Sequence, residues 1–262
     1  MHLGLIGYGS IGRALVALLT VEDVTKITVL VRSTALNSST NSTSGIPIQF
    51  VTSLTDLLKD EPLVVVECAG HTAVGTYAQA ILEAGTNLIV ASVGAFADAD
   101  LHDGVIAAAK AGGAKLILPT GAIGGLDLLQ VLATHGDVDV TYRGVKPPQA
   151  WKGSHADKIT DIDALTESMT FFQGSGREAA RAYPKNANVV AALALSGAGF
   201  DTMKVALIAD PSATTNTHAF EVTSPLCRYT IEIANTATAD NPRTSMTTVA
   251  SLQKLVLDYA KS

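Results

Sequence analysis

Cysteine, basic charge and long apolar runs are all scarce in this chain, and each scarcity excludes something. The two cysteines, Cys68 and Cys227, stand far apart among 262 residues and fit no metal-ligand spacing, so no metal site is expected and a reducing, cytoplasmic setting is the default. Lys and Arg number 18 against 24 Asp and Glu, a net charge of -6. An acidic surface repels nucleic acid and anionic membranes, so neither is an expected partner, and any anionic ligand has to be met by a local pocket. No uncharged apolar run approaches the ~18 residues of a membrane span. The opening "MHLGLIGYG" has no basic n-region, so no secretory signal is expected, and the sequons at Asn37 and Asn41 mark only an exposed loop.

What the chain does have is a globular composition, 47% hydrophobic, and enough length for one large domain or two modest ones. "HLGLI" reads as a strand, "RALVALLT" as a helix and "KITVLV" as a second strand, followed by the polar stretch "STALNSSTNSTSG". "LVVVECAG", "NLIVAS" and "AKLILP" are further strands. They alternate with the helices "HTAVGTYAQAILEAG", stopped at Gly85, and "DGVIAAAKAGG". Such alternation at short spacing is the pattern of parallel βαβ units. Past residue 120 the rhythm changes. After the helix "GGLDLLQVLATHG", the segments "DVDVTYRGV", "ESMTFFQGS", "MKVALIAD", "THAFEV" and "CRYTIEIAN" include neighbours too close for helical crossovers, so they predict a mostly antiparallel sheet. A last helix places Met246, Val249, Leu252, Val256 and Tyr259 on one face, suited to packing back on the first half.

Gly7, Gly9 and Gly12 complete G-x-G-x-x-G between the first strand and the first helix. The glycines permit a tight turn, close approach of backbone to a pyrophosphate, and close helix–strand packing, while the helix N-terminus favours the anion. Gly7, Gly9, Ser10, Ile11 and Gly12 are therefore the candidate dinucleotide turn. An NAD site usually carries an acid about 20 residues on, for the ribose hydroxyl. No carboxylate lies between Asp23 and Asp56; Arg32, Ser33 and Thr34 stand there instead. A cation with hydroxyls suits a 2′-phosphate, which favours NADP without excluding NAD; the alternative is that Arg32 stacks on adenine or points into solvent. Cys68, Ala69 and Gly70, at the carboxyl end of a parallel strand, are candidates to pass beneath the nicotinamide ribose. His71, beside them, is a candidate near the cofactor or a cap. The fold class is thus α/β: a Rossmann-type parallel sheet over residues 1–118, a second α+β domain with a mixed, mostly antiparallel sheet over 119–243, and a terminal helix, 244–262, returning to the first.

Three segments of the second half draw attention: "PTGAIGGLD", "YPKNANVVAALAL" and "NTHAFEV". With the glycine turn and "VVECAGH", the ordered set G-A-I-x-G, P-K-N-A-N-V and N-x-H resembles the L-aspartate dehydrogenase family along essentially the whole chain. The resemblance implies a homodimeric, nicotinamide-dependent enzyme interconverting L-aspartate with iminoaspartate, or with oxaloacetate plus ammonia. By motif, Ala122 and Asn188 would be cofactor-binding and His218 the active-site residue. Lys185 and Asn186 would be available to hold a substrate carboxylate; otherwise Asn186 caps the helix and Lys185 is a surface charge. His218 suits acid–base work because histidine ordinarily titrates near neutrality. The family's pattern places an acid directly after the histidine, whereas here His218-Ala219-Phe220-Glu221 is found. Two other readings stay open: a two-domain reductase of the dihydrodipicolinate reductase or homoserine dehydrogenase type, and a non-catalytic dinucleotide sensor.

Overall fold

The structure, a computed structural model, describes residues 1–32, 45–238 and 241–261, with the side chains of 185, 237, 238 and 241–244 outside that description. Ser33, Thr34, Asn37, Asn41 and most of the polar stretch that carries them also lie outside the described residues. The chain divides into two compact units, Met1–Pro119 with the segment from Thr248 onward, and Thr120–Thr247.

The first unit runs β1 (His2–Ile6), α1 (Ser10–Leu18), β2 (Lys26–Leu30), β3 (Ile48–Val51), α2 (Leu54–Lys59), β4 (Val64–Glu67), α3 (His71–Glu83), β5 (Asn87–Val90), α4 (Ala99–Gly112) and β6 (Leu116–Ile117). Among the described residues its sheet has six strands, ordered β3-β2-β1-β4-β5-β6 and parallel throughout. That order reverses between β1 and β4, the place where open parallel sheets leave a crevice at their carboxyl ends. The strands are β-branched and apolar because helices cover both faces; Leu3, Leu5, Val64, Val65 and Val66 have no exposed surface. The strand and helix over residues 48–59 have no counterpart among the segments read from sequence. They are short, and Ser53 starts the helix by accepting from the Asp56 amide at 3.1 Å.

The second unit runs α5 (Leu126–Ala133), β7 (Asp139–Lys146), β8 (Met169–Ser175), α6 (Gly176–Ala182), α7 (Asn188–Leu193, continued by a π-type turn over Ala194–Ala198), β9 (Lys204–Ala209), β10 (Asn216–Thr223), β11 (Arg228–Asn235), and the small pair β12 (Ala237–Thr238) and β13 (Asn241–Ser245). The larger sheet is ordered β11-β10-β7-β9-β8, with β7 and β9 parallel and the other neighbours antiparallel. Alternation along β7 and β10 is regular: Val140, Tyr142, Gly144 and Lys146 are buried on one strand, and Asn216, His218, Phe220 and Val222 on the other. Two strands of period two therefore set a lysine and a histidine on the buried face of the sheet.

The last helix, α8 (Met246–Ala260), inserts Val249, Leu252 and Val256 into the core of the first unit beside Leu15, Val24 and Val29. Met246, expected on that face, is exposed, because it is the first residue of the helix and lies before the segment that joins this core.

Candidate active site

In the first unit the glycine turn has the geometry of a cradle. Gly7 adopts φ +87°, and a Cβ there would lie 2.8 Å from the Cβ of Ala69; a Cβ on Gly12 would lie 2.6 Å from the Gly7 carbonyl oxygen. Space is absent beneath the turn yet present above it, since a Cβ on Gly9 would meet nothing within 4 Å. Gly9 is also the N-cap of α1, with no side-chain cap and no acidic residue in the first turn. By contrast, α2, α4 and α6 each carry an oxygen-bearing cap and an acid in their first turn. The free amides and positive end of α1 suit an anion, and the residues present fit a dinucleotide pyrophosphate. Ser10 and Ile11 are half-buried at the start of that helix. Arg32 is exposed two residues past the end of β2.

The turn that abuts Gly7 is held from below by a residue that the sequence reading passed over. Glu67, 1% exposed at the end of β4, accepts from the amides of Ala69 (2.6 Å) and Gly70 (2.7 Å), and from the amide and hydroxyl of Ser92 (3.0 and 3.1 Å). Four donors converge on one carboxylate, tying the carboxyl ends of β4 and β5 together. Burial raises the Glu67 pKa, opposed by those hydrogen bonds. The signal available in sequence was an acid ending the otherwise apolar run "LVVVE". Cys68, the next residue, has its thiol pushed well up by burial and by the Glu67 charge, which leaves it inert as a nucleophile. Gly70 is the uncapped N-cap of α3, and His71 is the first, half-buried residue of that helix.

In the second unit two of the candidate residues meet the buried face of β7 and β10: His218, which lies on it, and Asn186, which reaches it through Lys146. His218, 6% exposed, shares a 2.7 Å hydrogen bond between its Nδ1 and the Tyr142 hydroxyl, and the two rings lie nearly parallel. Lys146, also 6% exposed, donates from Nζ to Asn186 Oδ1 at 2.8 Å and sits 4.9 Å from the centre of the Trp151 ring. No motif in the sequence marks Tyr142 or Lys146, although "VTYRGVK" alternates so as to place both on one face. Asn186 is not a helix cap: the N-cap of α7 is Ala187, without a side-chain bond, and the Asn186 amide serves the lysine instead. Asn188 is exposed at the first position of α7, and the side chain of Lys185 is outside the description. Ala122 lies buried in the glycine-rich loop before α5, where its carbonyl accepts from Asn235 Nδ2 at 3.0 Å. Asn235 in turn accepts from Ser245 and Thr247, so β11 fixes this loop.

Two sequence expectations change. His218 does not titrate near neutrality in the free protein: burial, and then the Lys146 charge, push its pKa down to about 3. Its partner is a phenol rather than an acid. Glu221 is three residues along β10, an odd separation that turns it to the opposite face, where it pairs with Arg228 at 2.7 Å. Among the described residues no group of three or more His, Cys, Asp or Glu could hold a metal ion, and no helix is long and apolar enough to cross a membrane.

Comparison with known proteins adds the following. The family model for the aspartate dehydrogenase C-terminal region matches residues 127–259, and that for the homoserine dehydrogenase NAD-binding domain matches residues 7–119. L-aspartate dehydrogenase of Ruegeria pomeroyi is 45% identical over 195 residues, which span 74% of this chain and 71% of that protein. L-aspartate dehydrogenase of Cupriavidus taiwanensis is 37% identical over 255 residues, 96% of this chain and 95% of the relative. Among solved structures, aspartate dehydrogenase of Thermotoga maritima superposes with a TM-score of 0.80 at 28% identity, covering 98% of this chain and 96% of that one.

Proposed function

The chain belongs to the L-aspartate dehydrogenase family, and from that premise we infer that it interconverts L-aspartate with iminoaspartate, or with oxaloacetate plus ammonia, using a nicotinamide dinucleotide. One observation carries the reading beyond the family match: a buried lysine, tethered by an amide, shares a sheet face with a buried histidine. An acidic protein that binds a dicarboxylate has to concentrate positive charge locally, and Lys146 supplies it in a setting where water screens little. The nearest rivals share the cofactor fold. The match to the homoserine dehydrogenase model covers only residues 7–119, and a shared cofactor fold does not select a substrate.

The roles follow from the chemistry of each group. When bound, the nicotinamide ring supplies or accepts the hydride. Gly7, Gly9, Ser10, Ile11 and Gly12 would hold the pyrophosphate at the start of α1. Cys68, Ala69 and Gly70 would line the nicotinamide ribose, on a turn that Glu67 keeps rigid. Ala122 and Asn188 would bind the cofactor, as the family resemblance implies, and His71 would stand near it. Lys146 would bind a substrate carboxylate, with Asn186 holding the ammonium of the lysine in place; Lys185 would offer the second anion-binding point. His218 would face the reacting carbon as a neutral ring. A carboxylate bound to Lys146 would offset the charge of the cation that, after burial, depresses the ring's pKa.

Arg32, exposed at the end of β2 where NAD sites usually have an acid, supports a preference for NADP. The same reading expects a homodimer working in the cytoplasm. The deciding experiment follows absorbance of the reduced nicotinamide with purified protein, oxaloacetate and ammonium, run separately with NADPH and NADH. Oxidation dependent on both oxaloacetate and ammonium is expected. Oxidation without ammonium would mean a keto-acid reductase, and none with either cofactor would remove the enzymatic reading.

A further inference from the structure

The register of the second sheet sets Gly144 of β7 directly opposite His218 of β10, with Tyr142 opposite Phe220. Tyr142 and Gly144 are successive residues on the same face, so the tyrosine reaches His218 by laying its ring over the glycine. The fit is tight: a Cβ at residue 144 would stand 2.7 Å from the Tyr142 hydroxyl oxygen and 3.3 Å from Cζ. Gly144 is thereby the opening through which the hydroxyl meets Nδ1 at 2.7 Å.

We infer that Tyr142 is a positioning residue: its hydroxyl donates to His218 Nδ1 and holds the neutral ring in the tautomer that carries its proton on Nε2. The direction of the bond follows from hydrogen-bond accounting. Tyr142 is 2% exposed, and among the described residues its hydroxyl bonds His218 Nδ1. Were Nδ1 to carry the proton and donate, the phenol's own proton would be stranded in a buried site, at a cost of about 1–3 kcal/mol. Burial also keeps the phenol protonated, and burial with Lys146 keeps the ring neutral, so one proton lies between the two groups and it belongs to the tyrosine.

The consequence is chemical. A ring protonated on Nε2 is a donor in its resting state, as a neutral electrophilic histidine is, and does not take a proton at that nitrogen. When ammonia adds to the keto carbon of oxaloacetate, the C–N bond forms and the carbonyl π pair moves onto oxygen. The Nε2–H would donate a hydrogen bond to that oxygen as it becomes negative. Only this last assignment rests on the aspartate dehydrogenase reading; the tautomer itself does not.

The test uses the full chain with 15N-labelled histidine and no cofactor or substrate, His218 being assigned by the signals lost in His218→Gln. The expected spectrum shows Nδ1 bare and Nε2 protonated. Tyr142→Phe keeps the ring and removes the hydroxyl, so the two shifts should move toward each other as the tautomers mix. Gly144→Ala displaces the hydroxyl and should do the same, whereas the double variant should go no further than Tyr142→Phe alone. In turnover, Tyr142→Phe should lower kcat by about tenfold, the value of roughly one hydrogen bond, with the cofactor KM unchanged. A protonated Nδ1 in the parent protein, unchanged shifts in Tyr142→Phe, or additive effects in the double variant would overturn the tautomer assignment. Mixed tautomers with an unaltered kcat would overturn its use in the reaction.

Discussion

Acidification should destabilise the second unit in part through one buried residue, His218. His218 has a folded pKa of about 3 against an ordinary value of 6.5, so between those values the unfolded chain binds a proton that the folded chain refuses. Stability contributed by the neutral ring is therefore fully present above about pH 6.5 and is lost as pH falls. Going from about pH 8 to about pH 5 crosses about 1.5 units below the unfolded pKa, at roughly 1.4 kcal/mol each, or about 2 kcal/mol lost. Trp151 is the one tryptophan of the chain and is buried in this unit, so its fluorescence follows the unfolding of the relevant part. Urea titrations at the two pH values, on the parent protein and on His218→Gln, isolate the term, because carboxylates titrate alike in both. The parent should lose about 2 kcal/mol more than the variant over that interval. Equal losses would mean that the ring is not held neutral by burial, and the environment argued for His218 would be wrong.

Other outcomes follow from the same contacts. Lys146→Met should raise the KM for oxaloacetate by about tenfold or more, since charge-assisted bonds contribute about 1.5–3 kcal/mol, while cofactor KM stays put; an unaltered KM would move the carboxylate site elsewhere. Lys185→Ala should raise the same KM if Lys185 provides the second anion-binding point, and an unaltered KM returns it to the surface. Arg32→Glu should shift the NADPH-to-NADH rate ratio toward NADH by repelling a 2′-phosphate, and an unchanged ratio would remove Arg32 from cofactor selection. Glu67→Gln turns one acceptor into a donor that faces the Ser92 amide, so cofactor KM should rise and Tm should fall together; retention of both would show that the 68–70 turn holds itself.

Much of this protein is set by local sequence. Largely apolar runs separated by helical segments make a parallel sheet, because a sheet covered on both faces buries such runs. Gly7, Gly9 and Gly12 specify the phosphate turn by their own lack of side chains, and "NTHAFEV" puts His218 on a buried strand face by alternation alone. What stayed hidden in the sequence is which residues meet across strands. Tyr142 lies 76 residues from His218 and Lys146 lies 40 from Asn186, so no spacing along the chain relates them. Register sets Gly144 against His218, and only then does the tyrosine become the histidine's partner. The ionisation of the site was equally out of reach: a histidine's pKa depends on its burial and on the cation beside it, and both are products of the folded sheet.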